Sequence, residues 1–276
     1  MPAPQKAMLS RLAKTNFASK HIKLPVNWKK PGNQYPEAFQ KSERKIAPNP
    51  PMTLFKEPTL NKYHVDTAGT IGKKFENYID GACAAICDGI DKWMKMTAIA
   101  GVIINGPTGM LMPGCVIGPV LTPLILATAP KSRPQELKYS KAIAQAFGTL
   151  WQPWHSGLTG TLMYPPFAAF PGPVAPPMPN VPIPLIALSS PGEAGLSPGS
   201  LKSTMEANLA DPKALHAPEL FDAIAKAFHT VFQIFKSTTI IQNVLGTGPI
   251  PTFAPPVVPA GPVLAGTVIP TPGVLK

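Results

Sequence analysis

The stretch Gly69-Thr-Ile-Gly72-Lys73 comes nearest to a catalytic motif in this 276-residue chain. A phosphate-binding loop reads G-x-x-x-x-G-K-[ST]: its backbone amides wrap phosphate and its hydroxyl holds magnesium. Here Thr67 stands where the first Gly is required, and Lys74 where the hydroxyl is required. Nucleotide binding is therefore not expected. Cys83 and Cys87 are four residues apart and share a helix face, but structural zinc takes four ligands. Neither a C-x-x-C pair nor a nearby His completes the set. Together with Cys115 they read as small buried residues rather than a disulfide framework. His21, His64, His155, His216 and His229 are scattered, and the adjacency of His155 and Ser156 does not make a nucleophile–base pair. The strained G-x-S-x-G elbow is absent. The acids Asp80, Asp88, Asp91, Glu136, Glu206, Asp211, Glu219 and Asp222 fall on helix exteriors, with none paired for acid–base work. Glu219 and Asp222 also suit the positive end of a helix dipole. No catalysis, cofactor or metal is expected.

Charge distinguishes the two ends of the chain. Residues 1–75 carry 14 Lys/Arg against 4 Asp/Glu, and residues 76–276 carry 11 against 10. Such a basic arm suits nucleic acid, an anionic membrane or an acidic protein surface. Within it, Lys6, Arg11, Lys14, Lys20, Lys23, Trp28, Lys29, Lys30 and Tyr35 are the candidate partner-binding residues. Proline breaks at 25, 31, 36, 48, 50, 51 and 58 point to an extended arm over 1–75, apart from a short helix near 5–18. Its acid-free first 36 residues also suit a mitochondrial presequence, which leaves a mitochondrial location as the alternative.

Beyond residue 75 the spacing predicts helices. Phe75, Ile79, Ala82, Ile86, Ile90 and Trp93 recur at steps of three and four over 74–97. Leu137, Ile143, Phe147 and Trp151 do so over 136–151, with Pro153 expected to end or kink the helix. Leu220, Ile224, Phe228, Val231 and Phe235 do so over 218–244. Each helix leads into a tract free of Asp, Glu, Lys and Arg: 96–130, 142–192 and 237–275. These tracts mix Pro and Gly with Val, Ile, Leu and Met. Regular Pro permits short edge strands and excludes central ones, so short β-segments are expected and a large sheet is not. Residues 110–129 are long enough to span a bilayer, but Pro113, Pro119 and Pro123 would break the helix. A membrane-spanning helix is not expected there.

An internal repeat is the most specific feature. Ala142–Ser156 (AIAQAFGTLWQPWHS) lies over Ala223–Ser237 (AIAKAFHTVFQIFKS) without a gap, and 8 of 15 positions are identical. Thr-Gly pairs follow the three helices, at Thr108, Thr159 and Thr247. Trp93 to Thr108 and Phe232 to Thr247 are both 15 residues; the middle interval from Trp151 is 8. Repeats of this kind stack because one unit cannot bury its apolar face alone. The expected fold is α+β: an arm over 1–75, then helix–strand units over 76–130, 131–215 and 216–276. Ile86, Trp93, Phe147, Trp151, Phe228 and Phe232 form the expected repeat core. The units either enclose one pseudo-threefold core or pair between chains of a homo-oligomer.

The basic Pro-rich arm, the Thr-Gly and Gly-Pro punctuation and the uncharged run from Gly246-Thr-Gly-Pro-Ile-Pro251 to Gly273 resemble small structural subunits of tailed-bacteriophage virions and related contractile tails. That resemblance implies a non-catalytic tail, baseplate or neck component of a virion, assembled in the host cytoplasm and docked on neighbouring subunits through its N-terminal arm and its uncharged Pro/Gly-rich segments. The alternatives are a nucleic-acid-associated scaffold that uses residues 1–75, as in a mitochondrial ribosome or inside a virion, and a membrane-interacting component.

Overall fold

The computed structural model describes residues 4–22, 62–169, 172–212, 214, 216–254 and 260–276. The fold is α+β. In chain order, α1 (Lys6–Ala18) and α2 (Lys62–Met96) precede β1 (Ala98–Ile99), β2 (Ile103–Gly106), β3 (Thr108–Leu111) and β4 (Val116–Ile117). Next, α3 (Leu121–Thr128) and α4 (Pro134–Ser156) precede β5 (Gly160–Met163), β6 (Phe167–Ala168), β7 (Val174–Pro179) and β8 (Ile183–Pro184). Finally, α5 (Pro198–Leu209) and α6 (Ala217–Thr238) precede β9 (Ile240–Ile241), β10 (Leu245–Pro249), β11 (Ala260–Gly261) and β12 (Val263–Ile269).

The helices close into a ring in which short and long members alternate. α1 packs on both α6 and α2, α3 on α2 and α4, and α5 on α4 and α6. The short helix expected near 5–18 forms over 6–18, and it packs into the ring instead of standing apart in an arm. Leu9, Ala13 and Phe17 lie at intervals of four, form one face and are fully buried. Burying that face stabilises the helix more than its intrinsic propensity does. α2 likewise begins at residue 62, ahead of the expected 74. Helix α4 continues through Pro153 to Ser156. Proline removes one backbone bond there, but Trp154 and His155 beyond it are buried, and Gly157 N–H closes the end on Pro153 O at 3.1 Å. α6 stops at Thr238, short of the expected 244, because Ile240 and Ile241 pair as a strand.

The long helices meet through their aromatic side chains. Trp93 of α2 contacts Trp151 and Trp154 of α4, at centroid distances of 5.1 and 6.1 Å. Trp151 and Trp154 in turn contact Phe232 of α6, at 5.9 and 5.1 Å. One turn earlier, Phe147 meets Phe228 at 4.7 Å and 87°. Short helices fit between the long ones where side chains are small: a Cβ on Gly148 would fall 1.9 Å from Thr122 Oγ1 of α3.

Six of the short strands assemble into one sheet in the order β5-β3-β2-β12-β10-β7, larger than the Pro content led one to expect. Within this sheet proline is kept to the edge strand β7 and to the last residue of β10, Pro249. β7 carries Pro176, Pro177 and Pro179 and lies at the edge, where a missing N–H costs nothing. The sheet curls until its edges meet, and Val181 N–H donates to Met163 O across the gap at 2.7 Å. Its bore is correspondingly narrow. A Cβ on Gly246 of β10 would come within 2.6 Å of both Ile104 of β2 and Tyr164 beyond β5, so only glycine fits.

Candidate interaction surface

The curled sheet alternates inward and outward residues, as any strand must. In β2, Ile104 is buried between exposed Ile103 and Asn105; in β3, Met110 is exposed between Gly109 and Leu111; in β5, Leu162 is buried between exposed Thr161 and Met163. The inward residues explain the core. The outward ones need a separate account, because they too are apolar. Met110 is 56% exposed and Ile103 54%, and Met163, Val174, Leu264 and Ile269 share the outer wall.

None of these twelve strands contains an Asp, Glu, Lys or Arg. Among the described residues all such side chains but Lys276 belong to the helices and their flanks, within 6–95, 131–141 and 193–236. The molecule is therefore divided chemically, with a charged helical ring and an uncharged sheet whose wall exposes large apolar side chains. An apolar wall of that extent is unusual on a surface that meets only water, and common where another protein covers it.

The ring's charges serve its own assembly. Lys6 pairs with Asp88 at 2.5 Å, Lys14 with Asp80 at 2.9 Å, and Lys20 with Asp222. Ser10 also donates to Asp80, and Asn16 to Ala223 O at 3.4 Å. Three candidate arm residues are thereby placed in contacts between α1 and its two neighbours, and Arg11 lies exposed on α1. Lys23, Trp28, Lys29, Lys30 and Tyr35 lie outside the described residues. Burial works to raise the Asp222 carboxyl, but hydrogen bonds from Lys20 and Lys226 outweigh it and hold it below the usual range. Lys236, whose side chain is 9% exposed, pairs with Glu193 and lies 5.4 Å over the Phe232 ring.

Ile86, Trp93, Phe147, Trp151, Phe228 and Phe232 are all buried in a single core. The indole N–H groups of Trp93, Trp151 and Trp154 reach no acceptor. His155 Nδ1–H donates to Trp151 O at 3.1 Å, and burial holds the imidazole pKa below its ordinary 6.5. Burial pushes the Cys83 thiol up strongly and the Cys87 thiol up to about 12, so neither is poised as a thiolate nucleophile. Among the described residues no three His, Cys, Asp or Glu side chains gather as a metal site, and no helix is long and apolar enough to cross a membrane. A cleft of about 610 Å³ lies between α2, α4 and α6, walled by Ile71, Phe75, Tyr78, Tyr139 and Leu220, with Lys74, Arg133 and Glu136 beside them. Burial raises both tyrosine hydroxyls, which removes them as bases near neutral pH.

Sequence reasoning named the core aromatics, and the uncharged tracts as docking segments, but not the residues of the outer wall. The signal was present in Ile103-Ile-Asn-Gly and Thr108-Gly-Met-Leu, where large apolar residues fall on both faces of a strand pair. Comparison with family models, curated proteins and solved structures finds no match to this chain.

Proposed function

We propose that the chain is a non-catalytic structural subunit of a larger assembly, of the kind found in virion tails, and that it docks through the outer wall of its curled sheet. The observation that carries this reading is the uncharged wall itself, with Ile103, Met110 and Met163 exposed beside one another. In the register of the sheet, Ile103 faces Met110, and Met163 faces Thr108. Burying such a wall releases about 25 cal/mol per Å² of apolar surface, with no charge to desolvate.

The body is read as three like units, each a short helix, a long helix and four strands. After each long helix the chain makes a return contact within its own unit: Ala98 with Ile117, Thr159 with Ser189, and Ile240 with Lys276. These contacts set Ala98, Thr159 and Ile240 in register. Ile86 then corresponds to Phe147 and Phe228, and Ala85 to Ala146 and Ala227. The Thr-Gly spacing alone had suggested a register that sets Trp93 beside Trp151.

The test is size fractionation of the source cells, with the full chain followed by antibody. The chain should travel with a large particle, and Met110→Glu should release it while leaving its melting temperature within a degree or two. A chain that runs at its own mass in every fraction would defeat the reading. If it carried nucleic acid that salt removes, the basic residues would become the working part.

A further inference from the structure

Around the curled sheet the strands follow one another as β3, β2, β12, β10, β7, β5. By unit, that order is first, first, third, third, second, second. By place within the unit, it alternates outgoing and returning strands without a break. The hairpin pairs β2·β3 and β10·β12 are fully hydrogen-bonded. In the second unit the bond from Val181 to Met163 stands in the corresponding place. The sheet thus has the strand order of a threefold object made from one chain.

We propose that the partner covering the wall is a homotrimer with threefold symmetry, whose three copies each contact one unit through the same uncharged, apolar patch. The inference rests on the docking reading above. Ile104, Leu162 and Gly246 are buried residues of the three outgoing strands, so Ile103, Thr161 and Leu245 are outward residues beside them. Ile103 and Thr161 are exposed and Leu245 half-buried. In the first and third units the returning strands add an apolar residue opposite: Met110 is paired with Ile103, and Ile269 with Leu245, and both are exposed.

Symmetry is kept on the wall and lost at the far end. The first unit turns over Pro107 between β2 and β3. The second and third make longer excursions that pair with each other through β6 and β11. A threefold partner therefore finds three similar surfaces around the wall and none at the tip. Three weak apolar contacts engaged together by one closed ring bind far more tightly than one. An uncharged wall also requires an uncharged partner patch, since a charge buried against it would be left unpaired.

The experiment places p-benzoylphenylalanine at Ile103, Thr161 or Leu245, one at a time, in the full chain made by the source cells. Met110 and Ile269 serve as a second set should any of the first melt early. After illumination, the particle fraction is digested and the linked peptides are identified. All positions of a set should link to the same short segment of one partner protein. Links to unrelated proteins or to separate segments, links only to further copies of this chain, or no link from a particle-bound chain would overturn the trimer while leaving the docking reading intact. A chain absent from every particle fraction would defeat both.

Discussion

Trp151 meets Trp93 edge to face, with ring centroids 5.1 Å apart and planes at 88°. The two rings come from α4 and α2, and Trp151 reaches Phe232 of α6 as well. This aromatic cluster joins all three long helices. Trp151→Ala should cost about 3–5 kcal/mol, the range for a large aromatic removed from a packed core. Urea unfolding checks this. A double-mutant cycle with Trp93→Ala should show a coupling of about 0.5–1.5 kcal/mol.

His155 sits against Trp93, 5.5 Å away, and its pKa is held below 6.5 by burial. The unfolded chain therefore binds a proton that the folded chain resists. Stability is complete above about pH 6.5 and falls as pH drops below it, towards the folded-state value. Thermal melts from pH 7.5 to 5 should show that loss, and His155→Gln should flatten the part of the slope that His155 causes.

The pair between Lys236 and Glu193 is asymmetric, since the Lys side chain is 9% exposed and the Glu 34%. Glu193→Gln leaves a buried ammonium without its counter-charge and should cost about 1–3 kcal/mol. Lys236→Met removes the buried charge and keeps the contact with Phe232, leaving a carboxylate that water can reach. It should cost less than Glu193→Gln, and denaturant midpoints for the two variants give the order directly.

Gly246→Ala would drive a methyl into Ile104 and Tyr164, each 2.6 Å from the added carbon. Overpacking of that kind costs about 1–3 kcal/mol. Ile104→Val removes the clashing Cδ1, so the double variant should recover part of the loss. Tyr164 keeps it from recovering all. Equal destabilisation with and without Ile104→Val would show that the bore is wider than described.

The α+β class and the long helices were legible because their apolar residues keep a 3.6-residue period, and the identities between Ala142–Ser156 and Ala223–Ser237 marked the segments that carry the aromatic core. α3 was not legible: Leu121–Thr128 is apolar on all sides and so has no period, and Pro123 reads as a breaker although it sits in the first turn, where proline is tolerated. α5 did carry a start signal, since Ser197 caps it and Pro198 opens it. The lysines of α1 could be counted but not placed. Their partners Asp80, Asp88 and Asp222 lie 66, 82 and 202 residues away, and no local pattern announces a contact at that range. For the same reason the sheet was underestimated. Pro176 and Pro177 forbid a central strand but do not say which strand is central.

The contact between α1 and α6 also fixes an order of events as the chain is made. Leu9, Ala13 and Phe17 leave the ribosome early, yet the helix that completes their burial follows some two hundred residues later. At about 5–20 residues per second, the interval is on the order of 10–40 s. For most of that time the stripe on α1 has only α2 to pack against, and the ring cannot lock until α6 arrives. Closure of the ring is therefore a late event, and a chaperone that shields α1 during the wait should raise the yield of folded chain.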